Sequence, residues 1–249
     1  EVRKSMSHGF QFQAQYTWSK SIDNSSSSNP TQDANDNGFP QNYGNLRAER
    51  AVSNYDIPQR FLLTGIWDLP FFKGRSGPLY DYVLKGWTFD MINQFQSGVP
   101  ATILAGPVQG IPDVNMDGNF IPTGSDNARP NCGPGQGFTL GNRASIGAQT
   151  MYSLPLLGNN GTCGRNTIRL NGIATSNWSI TKHIPLKESG WLGSGPWDLQ
   201  LRAEMYNVFN HPYLTVAGNA WRTLGSPAFG LYNSAGATRH MQMAIRLTW

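Results

Sequence analysis

The sequence is poor in charge. Lys, Arg, Asp and Glu make up 14% of its 249 residues, against roughly a quarter in ordinary soluble domains, and basic residues exceed acidic ones by four. The basic residues are scattered, which removes the electrostatic footprint that nucleic-acid binding needs; no nucleic-acid partner is expected. No stretch approaches 18 consecutive apolar residues, so a membrane-spanning helix is excluded, and the first residues show no secretory leader pattern. The four histidines, His8, His183, His211 and His240, lack metal-binding spacing. G-x-S-x-G, H-E-x-x-H and Gly-rich phosphate loops are all missing, and no enzyme is expected. The only cysteines are Cys132 and Cys163, with no C-x-x-C, so they form no thiolate metal site by themselves.

What is plentiful is Gly, Asn, Ser, Pro and aromatic residues, a mixture that favours strands and loops over helices. Six segments of about ten residues alternate apolar and polar side chains, the period of a β-strand: GFQFQAQYTWSKS, RFLLTGIWDLP, KGWTFDMINQFQSG, SNWSITKHI, WDLQLRAEMYNVF and HMQMAIRLTW. In the first, Phe10, Phe12, Ala14, Tyr16 and Trp18 share one face and Gln11, Gln13, Gln15, Thr17 and Ser19 the other. The last sets Met241, Met243, Ile245, Leu247 and Trp249 against Gln242, Ala244, Arg246 and Thr248. The strands of a soluble sandwich also alternate, and a soluble β-sandwich binding module is one alternative.

Charge and loop length favour a membrane. An Arg or Lys facing lipid at mid-bilayer costs about 2–4 kcal/mol, falling to about 0–1 near the interface. Among the apolar faces of the six segments only Lys182 is charged, and it sits toward a strand end where its stem can snorkel. Asp68, Asp90, Arg202, Glu204 and Arg246 all fall on the opposite face. The connections run long, short, long, short, long, over residues 20–59, 70–86, 97–176, 185–196 and 210–238. An outer-membrane barrel has short periplasmic turns and long extracellular loops. With Trp249 on the periplasmic side, all five connections fit. The fold expected is all-β, an antiparallel transmembrane β-barrel segment.

At this point the chain resembles the C-terminal barrel of TonB-dependent outer-membrane receptors, particularly the acidobacterial type with an N-terminal carboxypeptidase-regulatory-like domain. The matching stretches are YTWSKSID (16–23), IPQRFLLTGIWDLPF (57–71), LKGWTFDMINQFQSGVP (84–100), GRNTIRL (164–170), LQLRAEMYNVFNHP (199–212) and the terminal RHMQMAIRLTW. The resemblance implies a 22-stranded barrel around a plug, with residues 1–249 as about its last six strands. An opening on EVRKSMSHGFQFQ, without an initiator Met, also reads as part of a longer protein. The function implied is energy-coupled uptake of a bulky nutrient, with outer-membrane lipid, the TonB complex and the barrel-assembly machinery as partners. Neither plug nor TonB box is present, so the coupling residues have no position here. The resemblance also implies that Met243, Ile245, Leu247 and Trp249 are the terminal signal read by the assembly machinery, beyond their part in a lipid-facing strand. An outer-membrane adhesin or binding protein that does not transport is the second alternative.

Several residues are candidates for local chemistry. Asp113, Asn115, Asp117 and Gly118 in GIPDVNMDGNF have the spacing of the first half of a calcium loop. Position twelve is Gly124 instead of Glu, with Asp126 the nearest later carboxylate; an ordinary Asn/Asp/Gly turn is the other reading. Calcium is the only cofactor suggested. Cys132 and Cys163 are expected to form a disulfide in an oxidising periplasm, the alternative being two buried thiols. Arg202, Glu204 and Arg246 point into the lumen, to pair with one another or a plug, or to line a substrate path. Tyr43, Phe39, Trp221 and Tyr232 are loop aromatics that either touch a substrate or pack the loops.

Overall fold

The computed structural model describes residues 1–26, 40–72, 74–118, 128–133, 151–186, 197–236 and 238–248. These form one antiparallel sheet of seven strands adjacent in chain order: β1 (Val2–Ser7), β2 (Phe10–Trp18), β3 (Gln59–Asp68), β4 (Trp87–Gln96), β5 (Ile173–Leu186), β6 (Trp197–Tyr206) and β7 (His240–Thr248). Six of them correspond to the alternating segments. The additional strand, β1, is short, and Arg3 and Lys4 interrupt its alternation. A two-residue turn ties it to β2. His8 and Gly9 have φ of 52° and 76°, the left-handed pair that matches the twist of a hairpin. A Cβ on residue 9 would come within 2.8 Å of the Asp68 carbonyl oxygen, so packing as well as conformation selects glycine. At the other end, β6 stops at Tyr206 because Asn207 turns left-handed (φ 50°).

Register collects the apolar alternates of every strand onto one face. Ala14 lies opposite Leu63, Phe61 opposite Phe95, Phe89 opposite Ile180, Ile180 opposite Ala203 and Ala203 opposite Met243. A slip of one residue at any of these pairings would turn a whole strand inside out. Aromatic residues mark both margins of this face. Phe10 meets Trp67 edge-on at 6.4 Å, and Trp67 meets Phe71; six residues along the same strands, Phe61 stacks on Phe95 at 6.4 Å beside Tyr16. Six residues of strand cover about 20 Å, close to the apolar band between the aromatic girdles of a transmembrane barrel.

Polar groups on this face are answered locally. Asn93 is buried and accepts a hydrogen bond from the Trp178 indole at 3.2 Å. Lys182 donates to the carbonyl oxygens of Lys85 and His183, and its ammonium lies 5.8 Å from the centre of the Trp87 ring. A second lysine not anticipated from the alternating segments, Lys4, shares the face because it pairs with Phe12. It too bends toward the strand end, donating to Ser7 and to the Phe10 carbonyl. Both ammonium groups sit at the short-turn end of the sheet.

The connections alternate strictly. Residues 8–9, 69–86 and 187–196 join strands at one end, and 19–58, 97–172 and 207–239 at the other. Among the described residues, none of the fully buried hydrophobic side chains belongs to the seven strands. Ala101, Ile103, Tyr152, Cys163, Ile168, Trp221, Leu224 and Phe229 form the main core, and all come from two of the three long connections, 97–172 and 207–239. Among the described residues the outer edges of β1 and β7 have no strand partner. The sheet is open.

Candidate functional site

The polar face of the sheet is concave. Gln11 and Gln13 on β2 and Arg202 on β6 line one hollow of about 410 Å³, with Thr64, Ile66, Asp90 and Ile92 between them. In a flat sheet these outer strands would stand about 19 Å apart, so the sheet curls toward its polar side. The side chains there are bonded mainly to one another. Ser179 donates to Asp90 at 2.9 Å, Thr88 to Asp68 at 2.8 Å and Gln200 to Asp198 at 3.0 Å. Arg202 and Glu204 are two apart on one strand and pair at 2.8 Å. Glu204 also accepts from Tyr206 at 3.0 Å and from Gln242, and Tyr206 stacks on His240 with ring centres 4.6 Å apart. Arg246 is drawn away from this group by the register, which sets it opposite Gln200 toward the short-turn end. Among the described residues it makes no ion pair.

Above the sheet, the three long connections combine into one cap. The second and third are joined by backbone bonds from Leu104 to the Arg222 carbonyl and from Leu224 back to the Leu104 carbonyl, each 2.9 Å. Trp221 and Phe229 belong to the same buried cluster as Ile103, Tyr152 and Leu224. The first connection is fastened by charge. Arg129 makes a two-pronged bond to Glu49 at 2.6 and 2.9 Å, with both side chains buried. Arg165 reaches the Asp23 carboxylate and the Glu49 carbonyl, and Arg169 bonds the Asp56 carboxylate at 2.6 Å. Asn166 donates to the Val52 carbonyl and the Asn54 side chain, each at 2.7 Å. Such fork-shaped, charge-assisted bonds fix geometry as well as affinity. Burial pushes the Asp23 carboxyl up, but bonds from Ser26, Arg165 and Ser53 outweigh it and hold the group below its ordinary value. The Tyr152 and Tyr232 hydroxyls are pushed up, chiefly by burial.

Close backbone approach explains one glycine of the cap. A Cβ on residue 161 would lie 1.8 Å from the Arg129 carbonyl oxygen, and the Gly161 carbonyl accepts from Gln41 at 2.9 Å. Gln41 also accepts from the Arg129 backbone at 2.7 Å. Cys132 and Cys163 are bonded to each other across a sequence separation of 31, with Cα atoms 4.9 Å apart.

The Asp113 turn belongs to the cap. Asp113 accepts from the Gly118 backbone at 3.0 Å. The Asn115 amide nitrogen faces the Gln41 carbonyl, Asn160 Oδ1 and Asp117 Oδ2 at 2.9, 3.0 and 3.1 Å. Among the described residues no three His, Cys, Asp or Glu side chains come together to hold a metal, so any cation here must use amide and carbonyl oxygens too. Gly124 and Asp126 lie outside the described residues, as do Phe39 and Trp249. Met243, Ile245 and Leu247 stand on the apolar face of β7, all exposed.

The loop aromatics separate. Tyr43 is exposed, whereas Trp221 is fully buried and Tyr232 packs against the core while its hydroxyl accepts from the Asn171 backbone. Trp221 is therefore a packing residue and not a surface contact. The cap fasteners Glu49, Arg129, Arg165, Asn166 and Arg169 were not singled out by sequence; the one available signal was the spacing of Arg165, Asn166 and Arg169 in GRNTIRL.

The outer membrane beta barrel domain family matches residues 1–242. No curated protein and no solved structure matches the chain.

Proposed function

This chain belongs to the outer membrane beta barrel domain family and is an integral outer-membrane protein, and from that premise we propose that its sheet is part of the barrel wall of a TonB-dependent receptor. Its task is then energy-coupled uptake of a bulky nutrient, with the concave polar face as the lumen and the cap as the outward surface. The observation that carries this reading is the pair of unpaired edges. Backbone groups left open in hydrocarbon cost several kcal/mol each, so β1 and β7 must meet further strands. Single-chain bacterial barrels begin at about eight strands, so a curled wall of seven that does not close is part of a larger one, and the widest barrels hold a plug or a channel. The six stretches resembling the receptor barrel support the same reading.

In that reading Met243, Ile245 and Leu247, with Trp249, form the signal taken up by the barrel-assembly machinery. Arg202, Glu204 and Arg246 face the lumen, and no residue has a catalytic role. The test is uptake by intact cells expressing the full-length gene, with and without TonB. Import that stops when TonB is removed, from a gene encoding a plug and a TonB box, supports the proposal. A gene with neither, whose product binds ligand without import, points instead to an adhesin or binding protein.

A further inference from the structure

Two buried oxygens of the Asp113 turn lack a donor, and three more share one amide nitrogen. The Asn115 amide carries two protons, yet three oxygens, from Gln41, Asn160 and Asp117, crowd its nitrogen at 2.9–3.1 Å. Asn115 itself is 9% exposed. Its own Oδ1, and Asp113 Oδ1 beside it in the turn, are shut away from solvent with no donor. Buried acceptors are ordinarily satisfied, and here the deficit is of positive charge. Arg129 spends both terminal nitrogens on Glu49, and its Nε bonds none of these oxygens.

We propose that this turn binds one calcium ion, held by oxygens of Asp113, Asn115, Asp117 and Asn160 and by the Gln41 carbonyl. Calcium accepts six to eight oxygens in irregular arrangements, carboxylate, amide and carbonyl together, whereas magnesium demands a near-ideal octahedron and keeps its waters. Rotation of the Asn115 amide turns its oxygen toward the ion and releases the three crowded acceptors to become ligands. The ion joins the first long connection, through Gln41, to the turn and to residue 160, and so fastens the cap from the outside medium. Its role is to order the cap. The site stands independently of the transport reading.

The test is calorimetric titration of the folded protein in detergent micelles with calcium chloride, alongside D113N/D117N, N160D and the remote control D81N. One calcium binds per chain, half-saturating on the order of 10⁻⁴–10⁻³ M, where extracellular oxygen sites with few carboxylates fall. D113N/D117N weakens binding by about tenfold or more. N160D adds a carboxylate at an exposed position and tightens it by about threefold, since affinity follows the charge of the ligand set; a gain of this kind cannot come from misfolding. D81N leaves the midpoint unchanged. Absence of saturable binding, an unaltered midpoint in D113N/D117N, or an N160D variant that fails to tighten would overturn the site.

Discussion

Met243 on β7 is 88% exposed, while Trp221 in the last long connection is 0% exposed. Both are large and apolar, so one rule of burial cannot account for both. The sheet presents its apolar side chains outward in a continuous face, and what they meet is hydrocarbon. The cap rises beyond the aromatic margin and must stand in water, so it hides Trp221, Phe229 and Ile103 as a soluble domain would. Charge follows the same division. On the outward face of the sheet Lys4 and Lys182 both bend to the strand end. In the cap Glu49, Arg129 and Arg165 are drawn inside, because paired and hydrogen-bonded they hold distant loops in one arrangement.

The comparison can be broken first in the cap. Glu49→Ala leaves Arg129 buried without its partner and costs about 3–5 kcal/mol. Hydrogen exchange should rise across residues 40–56 and 128–133 while the strands stay protected; loss of protection in β3 and β4 as well would mean that cap and sheet are one cooperative unit. Replacing both cysteines by serine comes next, at about 3–4 kcal/mol for a closed loop of this length. Reductant sensitivity of the cap, absent from the variant, is the check.

The sheet is tested by neighbours on one strand. Leu63→Arg puts a cation on the outward face at mid-strand and destabilises the barrel by about 2–4 kcal/mol in lipid vesicles. Thr64→Arg, on the concave face, changes stability far less. Equal effects in denaturant titrations would remove the distinction between the faces. The smallest effect is one of pH. The Asp23 carboxyl is held below its ordinary value in the folded cap, so its contribution is fully present above the ordinary carboxylate range. It is lost as pH falls through the depressed value. Protease resistance of the cap should decline on acidification over that window in the native protein and much less so in D23N.

The sheet was legible in the sequence because hydrocarbon on one side and water on the other impose a period of two that every strand must obey. β1 escaped because a short strand near a tight turn, with Arg3 and Lys4 in it, carries little of that signal. The cap was not legible for a different reason. Glu49 and Arg129 are 80 residues apart, and Arg165 and Asp23 are 142 apart; each taken alone reads as a solvated charge. Trp221 shows the same limit, since nothing local separates an aromatic that packs a loop core from one displayed on a loop surface. In the Asp113 turn the residue types were apparent, but the crowding around Asn115 depends on Gln41 and Asn160, which only the fold brings near.

The central claim is that successive side chains along a strand look alternately into lipid and into an aqueous lumen. It is tested most directly by changing residues 199–206 of β6 one at a time to cysteine in the full-length barrel, reconstituted in vesicles, and treating each with a membrane-impermeant thiol reagent. The account predicts labelling at 200, 202, 204 and 206 and none at 199, 201, 203 and 205. Uniform labelling, or labelling of the odd positions in place of the even ones, would contradict it.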